Sequence, residues 1–154
     1  MKHGAYSDYD PAQSGLAESA LITIWPSLEP WYDDLVLVGG LVPRYICAHT
    51  SAPGSLPRPV TLDADLGIAL AASAGGMASL CFALMDQGFQ KSTTAEGLIR
   101  YEKKTADYSI PVDFLTESPP HTHGSATVDD IVAAVLPGIN RALQTARVRL
   151  PSAA

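Results

Sequence analysis

The chain has 154 residues, of which 47% are apolar and 17% are charged. This length corresponds to one domain, and the composition argues against a disordered chain because enough apolar side chains are present to form a core. The net charge is −6, from 10 Lys and Arg residues against 16 Asp and Glu residues. A domain that wraps nucleic acid unaided has to replace the counterions of the phosphates and should be basic, so the charge argues against that role as a solitary activity.

The N-terminus has no apolar signal-peptide core, and the chain has no uninterrupted run of about 18 apolar residues. We therefore expect a cytoplasmic protein without a membrane partner. Cys47 and Cys81 each lie in an apolar helical pattern. This pattern predicts buried free thiols in a reducing compartment, with a disulfide between them as the alternative.

The first part of the chain is predicted to be an arm followed by a helix. Residues 1–14 are polar and turn-rich and should form a loose N-terminal arm, while residues 15–150 should form a single domain. Apolar residues at helical spacing predict a helix over 16–25, which Pro26 ends. A proline-containing connection over 26–34 follows.

A strand, a glycine pair and a second helix come next. The apolar run over 35–38 predicts a buried strand, and Gly39-Gly40 predicts a tight turn after it. A helix is predicted over 41–48, and the prolines of residues 49–59 predict a loop.

Strict alternation of apolar and polar residues over 60–70 gives the strongest strand prediction in the chain. Asp63 and Asp65 lie on its polar face. Two carboxylates on one face of a largely apolar strand repel each other and lose hydration, and a divalent cation such as Mg²⁺ would relieve this. The alternative is a solvated polar stripe that binds no ligand.

The second half of the chain is predicted to mix helices and strands. A helix over 77–87, with Met77 and Met85 on its inward face, should end at Gly88. Strands are predicted at 89–91, 98–103 and 108–116, the last at a sheet edge or with a bulge because it contains Pro111.

The C-terminal part is predicted to be helical. Thr127 should cap a helix that Pro137-Gly138 interrupts, and a second helical piece should cover 139–146 before a strand begins at 148–150. The order of elements predicts an α+β fold in which helices flank a small mixed β-sheet.

Asp113 and the glycine pair add to the carboxylate prediction. Asp113 is the single carboxylate of an apolar segment, and three carboxylates would converge if its strand lay beside the strand with Asp63 and Asp65. Gly39 and Gly40 would let backbone N–H groups approach an anionic ligand. Each feature has a simpler interpretation, as an edge-strand charge that prevents aggregation or as an ordinary turn.

Taken together, these motifs resemble the DNA polymerase β-like nucleotidyltransferase superfamily. The order Leu-Val-Leu-Val-Gly39-Gly40, Thr-Leu-Asp63-Ala-Asp65-Leu and Val-Asp113-Phe is most similar to the AbiEii-type toxin nucleotidyltransferases. The resemblance covers roughly residues 16–116.

The resemblance implies a set of roles for these residues. Gly39 and Gly40 would hold the triphosphate of an NTP, and the catalytic residues Asp63, Asp65 and Asp113 would bind two Mg²⁺ ions. An NMP would pass to an acceptor hydroxyl on RNA, protein or a small molecule, and pyrophosphate would leave. The protein would then be a toxin or defence component, with an antitoxin protein as a possible partner.

The chain departs from this family in two places. Arg58 lies one position earlier than the arginine that AbiEii-type proteins often carry before their Thr-x-Asp-x-Asp motif. These proteins also continue into a helical C-terminal half, so the 154 residues are a fragment, a natural truncation or a minimal form. If the acceptor is tRNA or another RNA, we expect a region outside these residues or a partner protein to bind it.

Other residues have weaker functional interpretations. Arg44, at the start of the helix after the glycine pair, is a candidate for nucleotide binding. Lys103 or Lys104 could neutralise phosphate charge, while Arg100 and Glu102 share a strand face and could pair with each other.

The tyrosines and histidines give little further information. Tyr45, Tyr101 and Tyr108 are candidates for stacking on a base. His121 and His123 have the spacing of a zinc-binding pair, but no nearby cysteine completes a ligand set.

Two alternatives to catalysis follow from the same sequence. The chain could be a catalytically silent nucleotidyltransferase-like domain that binds a nucleotide or a partner protein. It could also be a structural protein whose aspartates face solvent.

Overall fold

The computed structural model describes residues 11–46 and 61–145. These residues form four α-helices and one seven-stranded mixed sheet, which confirms the predicted α+β fold. The helices are α1 (Pro11–Ile24), α2 (Val42–Ile46), α3 (Leu80–Asp86) and α4 (Ile139–Thr145). The strands are β1 (Leu35–Val38), β2 (Ala64–Ile68), β3 (Gln90–Thr93), β4 (Ile99–Lys104), β5 (Ser109–Thr116), β6 (Ser125–Val128) and β7 (Ile131–Val135). None of the helices in these two ranges is long and apolar enough to cross a membrane.

Strand β5 lies at the centre of the sheet. The main strand order is β1-β2-β5-β4-β3, in which β2 and β5 are parallel and the other neighbours are antiparallel. The end of β5 also pairs with β7, where Leu115 and Thr116 lie opposite Ala134 and Val135, and β7 in turn pairs with β6. Strands from distant parts of the sequence therefore meet along β5.

The two faces of the sheet are covered differently. On one face, Ala64, Leu66 and Ile68 of β2 are fully buried in the core to which α1 contributes. On the other face, α4 packs so closely that a Cβ atom added at Gly67 would lie 3.1 Å from Ile139 Cγ2. Helix α4 thus covers the Gly67 end of this face, and the end that carries Asp65 remains accessible to a ligand.

The prediction of a helix beginning at Thr127 is wrong. Residues 125–135 form the β6–β7 hairpin, and the turn between its strands is made by Asp129, whose φ is +53°, and Asp130. Burial alternates along β7, because Ile131, Ala133 and Val135 face the core. The second helical piece, predicted over 139–146, is found as α4.

Strand β2 is shorter than predicted, and β5 is not an edge strand. The alternation over 60–70 suggested one long strand, but pairing with β1 and β5 extends only over Ala64–Ile68. Pro111 is tolerated inside the sheet because β2 pairs with β5 only from Val112 onward. The proline therefore has no residue of β2 opposite it.

Helix α3 begins later than predicted. Ser79 caps it by accepting a hydrogen bond from the Phe82 N–H, so Met77 lies before the helix. Met77 is 90% exposed and Met85 58% exposed, which contradicts their predicted inward positions. Gly88 follows the helix with a φ of +85°, as expected of a residue that ends a helix.

Near the N-terminus, the helix starts earlier than predicted. Helix α1 begins at Pro11, so residues 11–14 belong to it rather than to a loose arm. The connection over Trp25–Asp34 is a 3-10 helix that buries Leu28 and Trp31.

Some predictions fall on residues that the structure does not describe. They concern the first ten residues of the arm, Cys47, the loop over 49–59 and the strand predicted at 148–150.

Candidate metal centre and adjoining cleft

The three predicted carboxylates come together in the structure. Asp65 lies in β2 and Asp113 in β5, and the parallel register places them directly opposite each other. Asp63 immediately precedes β2. One oxygen atom from each of the three side chains lies within 4.8 Å of the others. We call these residues the aspartate triad.

The triad concentrates negative charge in a partly buried place. Burial raises the pKa of Asp65 to about 7, and the charges of Asp63 and Asp113 add to this increase, while Arg100 opposes it. Within the described ranges, no hydrogen bond or ion pair to the Asp65 carboxylate is found. A ligand that carries positive charge would stabilise the ionised form of this side chain.

Gly39 lies directly against Asp65 of the triad, and Gly40 lies against the neighbouring Thr61. Gly39 follows β1 with a φ of +73°, and a Cβ atom added there would lie 2.0 Å from Asp65 Oδ2. A Cβ atom at Gly40 would lie 2.8 Å from Thr61 Oγ1, and this hydroxyl donates a hydrogen bond of 3.0 Å to Asp63 Oδ1. Only glycine therefore lets the backbone approach the carboxylates so closely.

The triad opens into a cleft of about 840 Å³. Gly39 and Gly40 line one side of it. The loop between β3 and β4 contributes Thr94, Glu96 and Leu98. Further apolar groups line the cleft: Leu62, Ile99, Pro111, Phe114, Leu115 and Ala134. A cleft with carboxylates at one end and apolar walls beyond them can hold a ligand that combines a charged group with an apolar one.

Arg100 on β4 is the cation of this site. Its Nε donates a hydrogen bond of 3.0 Å to Asp113 Oδ1, and its Nη2 lies 2.5 Å from Asp113 Oδ2. The same Nη2 is 3.6 Å from Asp63 Oδ2. The hydrogen bond to Asp113 raises the pKa of Arg100 above its ordinary value. One guanidinium is thus shared between two of the three carboxylates.

The predicted pairing of Arg100 with Glu102 is wrong. Glu102 accepts a hydrogen bond of 2.7 Å from Ser109 Oγ and pairs with Lys104 at 3.4 Å. The sequence could indicate the true partner only through the pairing of β4 with β5. The hairpin turn at 105–108 sets a register in which Tyr101 lies opposite Val112, and that register brings Arg100 opposite Asp113.

The other predicted binding residues lie elsewhere. Arg44 pairs with Glu18 at 2.6 Å and does not line the cleft. Lys104 on β4 extends into solvent, and Lys103 on the same strand lies near Gly88. Tyr101 is buried in the core and cannot stack on a base in the cleft.

His121 and His123 are exposed and join no group of possible metal ligands among residues 11–46 and 61–145. Cys81 is a free thiol, half-buried rather than buried as predicted.

The donor set of the triad fits a hard divalent cation. Carboxylate oxygens are the ligands that Mg²⁺ accepts, and three of them lie close enough to share one ion. Asp65, which has no protein partner in the described ranges, provides an oxygen for which such an ion would not have to compete.

Comparison of the chain with protein-family models, with curated proteins and with solved structures finds no match.

Proposed function

We propose that the protein is a Mg²⁺-dependent nucleotidyltransferase that moves an NMP from an NTP to an acceptor hydroxyl on RNA, protein or a small molecule. The observation that carries this proposal is the convergence of Asp63, Asp65 and Asp113 beside Gly39-Gly40 at the mouth of one cleft. The order of the same motifs along the chain resembles AbiEii-type toxin nucleotidyltransferases, which supports a role in defence.

In this proposal, the triad would hold Mg²⁺. When bound, two Mg²⁺ ions would stabilise the attacking and leaving oxygens of an in-line displacement at the α-phosphate. The backbone at Gly39 and Gly40 would approach the triphosphate, because neither residue has a side chain between its backbone and the cleft. The apolar walls beyond the triad would receive the base or part of the acceptor.

The reaction forms one phosphorus–oxygen bond and breaks another. The acceptor oxygen bonds to the α-phosphorus, the bond from that phosphorus to the bridging oxygen breaks, and pyrophosphate leaves. The proton of the acceptor hydroxyl goes to a carboxylate oxygen of Asp113, which we propose as the base. The register of β5 with β2 and β4 holds Asp113 in place beside the other two carboxylates.

The test is transfer of label from each α-labelled NTP, in the presence of Mg²⁺, to total RNA or protein. We expect Asp63→Ala to lower the rate by at least about a hundredfold, because the displacement loses a metal ligand. The matched control is Asp107→Ala, which removes the same group from the exposed turn between β4 and β5. Equal label transfer by the wild type and Asp63→Ala would show that the catalytic assignment is wrong.

A second candidate function is a catalytically silent domain that binds a nucleotide or a partner protein. The bidentate bond from Arg100 favours it, because Asp113 already has a protein partner. Thermal unfolding with Mg²⁺ and NTP distinguishes the two functions. Stabilisation by the nucleotide without turnover on any acceptor would support the silent domain.

A further inference from the structure

The guanidinium of Arg100 contacts the same carboxylates that are proposed to bind Mg²⁺. Its bidentate bond engages both oxygens of Asp113, and its contact with Asp63 engages Oδ2. A cation that binds these oxygens must therefore compete with the guanidinium. Since the Arg100 side chain is 27% exposed, the guanidinium is not locked in the core and can exchange partners within the cleft.

The cleft offers the released guanidinium few other partners. Among the described residues that line it, Arg100 is the one Lys or Arg, and Glu96 adds a further negative charge to the triad. An incoming triphosphate would bring several anionic oxygens to this place. Arginine binds phosphate through two parallel N–H donors, the same geometry that it uses here with Asp113.

We infer that Arg100 is an internal counter-cation, which holds Asp113 and Asp63 together in the free protein, yields them to divalent cations, and then binds phosphate oxygens of the nucleotide. This inference rests on the proposed function. It assigns two successive partners to one side chain. It differs from a purely structural role, in which Arg100 would stay on Asp113 and keep the carboxylate in place for the cation.

The first test is the affinity for Mn²⁺ alone, measured by isothermal titration calorimetry on the full chain without nucleotide. If Arg100 competes with the cation, Arg100→Ala should bind Mn²⁺ more tightly than the wild type. We expect a gain of about thirtyfold, which is the effect of removing one positive charge about 4 Å from a divalent cation in a well-solvated site. A purely structural role predicts the opposite, since Asp113 would lose the group that positions it.

The second test is the affinity for inorganic triphosphate at saturating Mn²⁺. Here Arg100→Ala should bind more weakly than the wild type, by about tenfold, because a bidentate charged contact is lost. The opposite signs of the two effects distinguish this inference from a general loss of folding. Lys104→Ala is the matched control, because it removes one positive charge from the same strand at an exposed position, and both affinities should stay unchanged.

Arg100→Lys keeps the experiment interpretable if Arg100→Ala does not fold. Lysine retains the charge without the bidentate geometry, so Mn²⁺ affinity should stay within about twofold of wild type while triphosphate affinity falls. Unchanged or weaker Mn²⁺ binding by Arg100→Ala would overturn the inference about Arg100. The proposal that the aspartate triad binds a metal ion would still stand. Absence of Mn²⁺ binding in the wild type would overturn both this inference and the proposed function.

Discussion

Two groups of aspartates in this molecule have contrasting surroundings. In the turn between β6 and β7, Asp129 accepts a hydrogen bond of 2.9 Å from Trp31 Nε1. Asp130 accepts one from the Ser79 hydroxyl and another, of 3.0 Å, from the Cys81 N–H in the first turn of α3. The protein itself supplies the donors for this pair, so the turn aspartates tie the hairpin to the helical side of the fold.

The aspartate triad has three carboxylates and shares one guanidinium, and Asp65 receives no hydrogen bond from the described residues. The number of acidic residues therefore does not by itself identify a binding site. What distinguishes the triad is the shortage of protein donors around carboxylates that the sheet register forces together. The following substitutions test whether this contrast is real.

The strongest change in stability should come from Asp65, which makes the free energy of unfolding depend on pH in metal-free buffer. The pKa of Asp65 is about 7 in the folded chain and about 3.9 in an unfolded chain. Between these values the folded state keeps a proton that the unfolded state has lost, so stability from this group is fully present below about pH 4 and is lost as the pH rises through about 7.

We therefore expect the wild type to lose about 4 kcal/mol of unfolding free energy relative to Asp65→Asn between about pH 4 and pH 8. Urea denaturation at both pH values, with EDTA present, measures the difference, and Asp107→Asn controls for removal of one negative charge at an exposed turn. Parallel pH profiles of the wild type and Asp65→Asn would mean that burial does not raise the pKa of this carboxyl group.

The next effect concerns the contact between Gly39 and Asp65. Gly39→Ala and Gly97→Ala both place a side chain at a positive φ, +73° and +82°, but a Cβ atom at Gly97 has no neighbour within 4 Å. Gly39→Ala also displaces Asp65, so it should cost about 2 kcal/mol more than Gly97→Ala in chemical denaturation. Equal losses would show that the backbone is not held against the triad.

The smallest effect is expected at the turn pair. Asp130→Ala removes the acceptor for the Ser79 hydroxyl and the Cys81 N–H, and should lower the free energy of unfolding by about 1.5 kcal/mol. Mn²⁺ affinity, measured by calorimetry, should stay the same. Asp130→Asn keeps an acceptor oxygen and should lose less stability. A change in the Mn²⁺ affinity of Asp130→Ala would show that the turn aspartates and the triad do not have separate structural and ligand-binding roles.

The sequence was sufficient to predict the members of the triad. The spacing of Asp63 and Asp65 on an alternating segment, and the single carboxylate of the segment around Asp113, indicated one polar face. The structure brings these residues together because β2 and β5 pair in parallel with Asp65 opposite Asp113. The glycine pair was likewise identified from its place after an apolar strand.

Other features could not be read from local patterns. The helix predicted at Thr127 failed because the residues around Asp129 satisfy a capping pattern and a hairpin turn equally well, and pairing of β7 with β5 decides between them. Arg100 was assigned to the wrong carboxylate because its partner lies across a hairpin rather than along its own strand. Both errors concern contacts that depend on tertiary pairing.

The strand order also bears on the sequence of events during folding. Asp113 and Arg100 are 13 residues apart in one hairpin, whereas the register between β2 and β5 joins Asp113 to a residue in a distant part of the chain. Closing a short loop costs less entropy than joining distant segments, and hairpins form within about 1–10 μs. Asp113 is therefore expected to meet its guanidinium partner before its negatively charged neighbour arrives, so that Arg100 shields the assembling sheet from charge repulsion.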